Sequence, residues 1–290
     1  MTSRSTRTAY LLVVIVSAMS FAVFYNLRSP DLLASWLGGH FYQIGAWDQI
    51  YPADTITYSM LPPDGWLPHL QEKGYVGSVF PFIYPPLWAH VFGWLTNITT
   101  FETFSNVARA INPALMGAMV ILAWRSIASA QSVALYTFIG LFILVSTFVG
   151  LIPIYQNQPQ ILVSFLIVLA IERSRYNAPV TAGVALAIAA SIKLYPALFA
   201  LFWLASGNHK AFFSFLACGL ALAGVSVGLA GWPLHQTFLQ EISVINNTAL
   251  VTSMNVSIDG VIAQVLFPEN LEFIRSAESR QPQGDILGKV

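Results

Sequence analysis

The amino-acid sequence predicts an all-α, polytopic membrane protein. Of its 290 residues, 56% are apolar and only 9% are charged. A soluble domain carries roughly 25% charged residues. Uncharged runs are long, with 20 residues from Thr8 to Leu27 and 46 from Ser126 to Ile171. About 20 apolar residues in a helix cross a ~30 Å hydrocarbon core. Mean hydropathy is positive, +0.65. Formal net charge is zero, so there is no footprint for nucleic acid. The one cysteine, Cys218, sits inside an apolar run, which excludes a disulfide framework and a cysteine metal site and leaves a small packing residue.

The first run is too long for a signal peptide core, and SFAVFYNLR has aromatics where small residues would mark cleavage. It reads as a retained first helix. Arg4 and Arg7 precede it, which places the N-terminus in the cytoplasm. A loop over 28–80 then lies outside. From Asp31 to Glu72 it carries five acids (Asp31, Asp48, Asp54, Asp64, Glu72) and no Lys or Arg. Within it, LLASWLGGHF reads as a short helix lying in the interface. Trp36, Tyr42, Trp47, Tyr51, Tyr58, Trp66 and Tyr75 suit the headgroup zone. Residues 52–73 hold Pro52, Pro62, Pro63, Gly65 and Pro68 and read as irregular loop.

Beyond the loop, Pro85 and Pro86 open an apolar run too short to span as an ideal helix. Apolar blocks follow at 104–124, crossed by Arg109, and at 131–150. IYQNQPQ then interrupts, and ERSR (172–175) is a basic patch. Residues 179–205 are apolar but hold Lys193 and Pro196 in the middle, which predicts two short helices meeting there. Ala211–Gly231 reads as a spanning helix, 232–256 as polar loop and 257–267 as a short apolar stretch. With ERSR and GNHK inside, three apolar blocks (81–96, 104–124, 131–150) join two outer loops. Parity requires an even number of crossings, so one block must be re-entrant or split. Broken backbone at membrane depth needs a cavity or protein around it. The expectation is a bundle of about eight membrane segments over 1–267, several short or broken, and a polar tail over 268–290.

Asp31 has two readings. It caps a short helix, as Asp favours such N-termini, or it acts as a general base toward a hydroxyl. Lys193 near the centre of an apolar run costs about 2.5–3.5 kcal/mol. It snorkels at the break, or it faces an anion. Gln156, Asn157, Gln158 and Gln160 form a solvated turn, or they offer amides to sugar hydroxyls or phosphate oxygens. Asn255 and Ser257 alone read as a helix cap. The five histidines show no metal-ligand spacing, so no metal site and no cofactor are expected.

The order of these features resembles glycosyltransferase family 87, polytopic enzymes of the GT-C superfamily. The resemblance is carried by Asp31 after the first helix, G-x-x-x-x-IY at Gly45–Tyr51, and YPP at 84–86. It continues through the amide loop, A-G-x-x-L-x-x-A-x-x-I-K-x-x-P at 182–196, and N-x-S at 255–257. It implies a GT-C-like bundle in the plasma or inner membrane, with its active site on the extracytoplasmic face. It implies inverting transfer of a hexose, mannose above all, from a polyprenyl-phosphate donor to a lipid or glycan hydroxyl. Asp31 would be the base, Lys193 would lie near the donor phosphate, and Gln156, Asn157, Gln158, Tyr84 and Asn255 would contact substrate. Members commonly read Gly-Gln-x-Asn where this chain has Gln156-Asn157-Gln158, and they continue with further helices where this chain has its polar tail. The expectation there is a naturally short, truncated or frameshifted chain. Two other classes stay open on the residues alone: a transporter or flippase for a lipid or anionic solute, and an inactive scaffold related to the enzymes.

Overall fold

The structure is a computed structural model that describes residues 3–52, 56–127, 130–251, 257–275 and 286–289. In chain order the helices are α1 (Ser3–Phe24), α2 (Pro30–Gln43), α3 (Trp66–Glu72), α4 (Pro86–Ile98), α5 (Phe101–Ile127) and α6 (Val133–Ser146). They continue with α7 (Phe148–Gln156), α8 (Gln160–Arg175), α9 (Pro179–Ile192), α10 (Ala200–Ala205), α11 (His209–Asn246) and α12 (Ile258–Leu266). Three short strands complete the described residues: β1 (Leu250–Val251), β2 (Glu272–Arg275) and β3 (Ile286–Lys289). The chain divides into two units, Met1–Leu32 with Thr99–Gly228 and Leu33–Ile98 with Leu229–Val290.

In the first unit α1 packs on α5 and α6, α5 on α8, and α8 on α9. Small residues permit these approaches. A Cβ on Gly117 of α5 would stand 2.5 Å from Cγ1 of Val13 on α1. One on Gly183 of α9 would stand 2.5 Å from the Phe215 nitrogen and 2.6 Å from the Ala211 carbonyl of α11. Helices α1, α5 and α11 are long and apolar enough to cross a membrane. They also leave large apolar side chains exposed, Val14, Met19, Val23, Phe213 and Leu220 among them, as a lipid-facing surface requires. Helices α6 and α7 bend by 68° at their junction and make a fourth span if the pair counts as one. The bend lies within 131–150, one of the three apolar blocks. Gly150 sits at that bend, where any Cβ would collide with the Leu144 carbonyl.

Charge in this unit is concentrated at the C-terminal end of α8. Glu172 is fully buried and accepts from Arg125 at 2.8 Å and from Arg173. Arg125 also stacks 4.9 Å over the Tyr176 ring. An apolar cavity of about 280 Å³ lies alongside, lined by α8, α9 and α10 with Arg175 on its wall.

The second unit corrects two expectations for the first loop. Residues 66–72 are a helix, not irregular loop. Pro68 fits because it stands in the first turn, where its missing N–H has no helical partner. The aromatics also split: Tyr51, Tyr58 and Trp66 are core, and Trp47 is half exposed. Trp66 stacks on Phe41 and donates to the Gln49 carbonyl at 2.7 Å; Tyr51 donates to the Tyr84 carbonyl at 2.7 Å. Helices α2 and α4 meet at Gly39 and Gly93, where a Cβ on Gly39 would lie 2.5 Å from the Gly93 nitrogen. Helix α11 kinks at Gly231 (φ 73°). Pro233 has no N–H for the Leu229 carbonyl, and the Tyr42 hydroxyl supplies the donor instead, at 2.9 Å. The polar tail contributes β2 and β3. They pair antiparallel, with β3 central between β1 and β2.

Candidate active site

The site is built on three chain breaks within the first unit. The first is the turn between α1 and α2. Asn26 takes a left-handed conformation there (φ 56°), which Asn tolerates better than most residues. Asn106 of α5 holds it, donating to the Asn26 Oδ1 at 2.8 Å and accepting from its backbone N–H at 3.2 Å. Pro30 then opens α2, and Asp31 stands in its first turn, where the helix dipole favours negative charge.

The second break ends α7. Asn157 is again left-handed (φ 57°, ψ 46°), and the Gln158 N–H bonds back to the Pro153 carbonyl at 2.9 Å. This is a six-to-one helix stop with Asn in the usual glycine place. It sends Asn157 inward and Gln158 outward. Asn157 is 1% exposed. Its Nδ2 donates to the Ser105 carbonyl at 2.9 Å, and its Oδ1 accepts from Asn112 at 2.6 Å. Gln158 is partly exposed and donates to the Gln156 Oε1 at 2.6 Å. It also hydrogen-bonds the Asp31 carboxylate.

The third break is the one expected at Lys193–Pro196. Helix α9 stops at Ile192, and Lys193 is extended (φ −134°, ψ 138°) before a 3₁₀ turn, Tyr195–Phe199. Pro196 explains the stop, since it cannot donate to the Ile192 carbonyl. Gln160 Nε2 donates to the Tyr195 hydroxyl at 2.7 Å, tying the amide loop to this break. The Lys193 charge acts on the Asp31 carboxylate. Burial raises the Asp31 carboxyl above its ordinary value to about 6, against the Gln158 hydrogen bond and then the Lys193 charge, which both pull it down. Asp31, Gln156, Gln158 and Lys193 thus come together in one unit.

Sequence reading had given Arg109 no part here. It is 3% exposed. Its Nη2 donates to the Leu27 and Arg28 carbonyls, both at 2.8 Å, and to Ser29 Oγ at 2.6 Å. Its Nη1 reaches the Tyr155 carbonyl at 3.4 Å. Ser105, Arg109 and Asn112 follow each other at i, i+4 and i+7, one face of a helix. That polar stripe in an apolar helix was the available signal.

The family model described as glycosyltransferase family 87 matches residues 82–279. The chain belongs to glycosyltransferase family 87. It is therefore a glycosyltransferase of a membrane-helix type, moving a sugar from a donor to an acceptor. No curated protein and no solved structure matches it. The family 87 match takes in the amide loop, the α5 stripe and Lys193, and it begins beyond Asp31. It also takes in Tyr84, which belongs to the second unit; there it is 7% exposed and packs on Phe82, ring centroids 5.6 Å apart. Asn255 lies outside the described residues.

Proposed function

We propose that this family 87 glycosyltransferase transfers a hexose, mannose first among candidates, from a polyprenyl-phosphate donor to a lipid or glycan hydroxyl. The reading rests on one observation: Asp31 is hydrogen-bonded by Gln158 within reach of the Lys193 charge. A carboxylate titrating near 6 is a better proton acceptor at neutral pH than an ordinary one, and still ionised there. Asp31 takes the proton from the acceptor hydroxyl as its oxygen attacks the anomeric carbon. The bond from that carbon to the phosphate oxygen breaks from the opposite side, so the anomeric centre inverts. The electron pair leaves with the polyprenyl phosphate, and Lys193 meets the charge that grows there. Gln156 and Gln158, hydrogen-bonded to each other, offer amides to sugar hydroxyls or phosphate oxygens. Asn157, fully engaged by protein, holds the loop that presents them.

We place the reaction on the extracytoplasmic face of the plasma or inner membrane, with the N-terminus inside. The short helices α4, α8, α9 and α10 complete a bundle of about eight membrane segments. The deciding experiment is sugar transfer by the purified protein in liposomes from polyprenyl-phosphate mannose to extracted lipid acceptors. Wild-type transfer that Asp31→Asn abolishes at unchanged expression supports the reading. Undiminished transfer by Asp31→Asn removes the base, and no transfer from any polyprenyl-phosphate hexose removes the donor.

A further inference from the structure

Arg109 is a buried cation with no carboxylate against it among the described residues; the two ion pairs there both belong to Glu172. Such a group is costly in an apolar helix, and an apolar side chain would usually pack there at lower cost. Its place therefore calls for a specific task. The guanidinium reaches the carbonyls of Leu27 and Arg28, just past the end of α1, and that of Tyr155, in the last turn of α7. Helix C-terminal ends carry partial negative charge, so two of them together suit one cation. A planar fork with several fixed donors holds carbonyls from two segments in one set geometry; a lysine presents a compact point charge with rotatable donors.

What these segments carry gives the task its meaning. Asp31 follows Ser29 by two residues, and Gln158 follows Tyr155 by three. Ser29 Oγ accepts from Arg109 at 2.6 Å and lies 2.8 Å from Ser105 Oγ. Asn157, between Tyr155 and Gln158, is fastened to Ser105 and Asn112 of the same helix. One face of α5 thus grips both segments, with Arg109 at its middle.

We propose that Arg109 is a positioning residue that locks the turn at 27–29 to the end of α7 and so sets the Asp31 carboxylate against the Gln158 amide. As a statement about catalysis, this rests on Asp31 being the base. The structural part is independent of it, and the test reads the two separately.

The test uses Arg109→Lys, which keeps charge and loses the fork, and Ser29→Ala, a milder change at the same junction. Transfer in liposomes is measured against pH. In parallel, carbodiimide labelling of Asp31 against pH, read by mass spectrometry, reports its proton affinity without any turnover. Arg109→Lys is expected to lower kcat about a hundredfold, the scale of a roughly 1 Å misplacement, with donor KM nearly unchanged. Ser29→Ala is expected to lower it about fivefold, the equivalent of one hydrogen bond. In both, the labelling midpoint of Asp31 moves to higher pH, because the Gln158 bond that pulls it down is loosened while Lys193 remains. A midpoint that stays in place in both variants overturns the proposal, as does full activity of Arg109→Lys. A midpoint that moves while Asp31→Asn transfers sugar undiminished sustains the positioning role and rejects Asp31 as the base.

Discussion

Gln158 hydrogen-bonds the carboxylate of Asp31, joining the first turn of α2 to the loop that ends α7. The bond favours the ionised acid, and burial opposes it more strongly, which leaves the group near 6. A base works only when deprotonated, so activity falls as pH falls through that value. The kcat/KM profile of the wild type should show an acid limb with its midpoint near pH 6. Gln158→Leu removes a contribution that lowers the pKa, so its limb should shift upward. A limb near pH 4 in the wild type would show that another group controls the rate.

Lys193 stands at the end of α9, released from the helix by Pro196. If it meets the donor phosphate, Lys193→Ala should cost roughly 1.5–3 kcal/mol of donor use, the scale of a charged hydrogen bond. That is a fall of about ten- to a hundredfold in kcat/KM for the donor, with acceptor KM little changed. The acid limb should also rise, since the positive charge holds the Asp31 carboxyl down. Steady-state kinetics with each substrate varied in turn checks both. Equal losses on donor and acceptor would argue for packing alone.

Local chemistry made some of this legible and hid the rest. Pro196 and Lys193 in an apolar run announce a break, because one cannot continue a helix and the other cannot rest in lipid. The same logic found the first helix and the amide loop. Composition cannot say which way an amide points. Asn157 and Gln158 look alike in sequence, yet the left-handed turn buries one and leaves the other partly exposed. The acidic loop misled for a related reason. Its Trp and Tyr suit a headgroup zone as well as a core, and only the partners of Trp66 and Tyr51 decide. The stripe of Ser105, Arg109 and Asn112 was readable by its spacing, but nothing in α5 alone reveals what lies opposite.

Asp31→Asn should also reveal a conflict between function and stability. The folded-state pKa of Asp31 is raised above its unfolded value. Ionisation is thus disfavoured in the fold, and the penalty is fully present above about pH 6. It shrinks as pH falls below that value and is gone near about pH 3, where both states hold the proton. The neutral amide escapes it, less what Lys193 loses in a counter-charge. The variant should therefore be more stable than wild type at pH 7.5, by on the order of 1–2 kcal/mol, and nearly equal to it at about pH 3. Thermal unfolding in detergent at the two pH values measures this. Equal stability at both would mean that solvent reaches the carboxylate freely.

Glu172 carries another buried charge of the first unit, and its partners decide what its loss costs. The carboxylate is fully buried, while the side chains of Arg125 and Arg173 are 40% and 30% exposed. Removing one partner of a buried pair costs about 3–5 kcal/mol when the survivor is trapped without compensation. Here the survivors can turn to water, and Arg125 keeps its place over Tyr176. Glu172→Gln should therefore cost less, about 2 kcal/mol, because the amide still accepts from one arginine. Arg125→Ala should cost no more than this, since Arg173 continues to hold the carboxylate through both of its oxygens. Glu172 lies at the far end of α8 from Gln160, about 18 Å along the helix at 1.5 Å per residue. Each variant should therefore lose melting temperature while its kcat per folded molecule stays within a factor of two, as expected for sites too distant to couple. A fall in kcat without a fall in stability would place the cluster in the reaction.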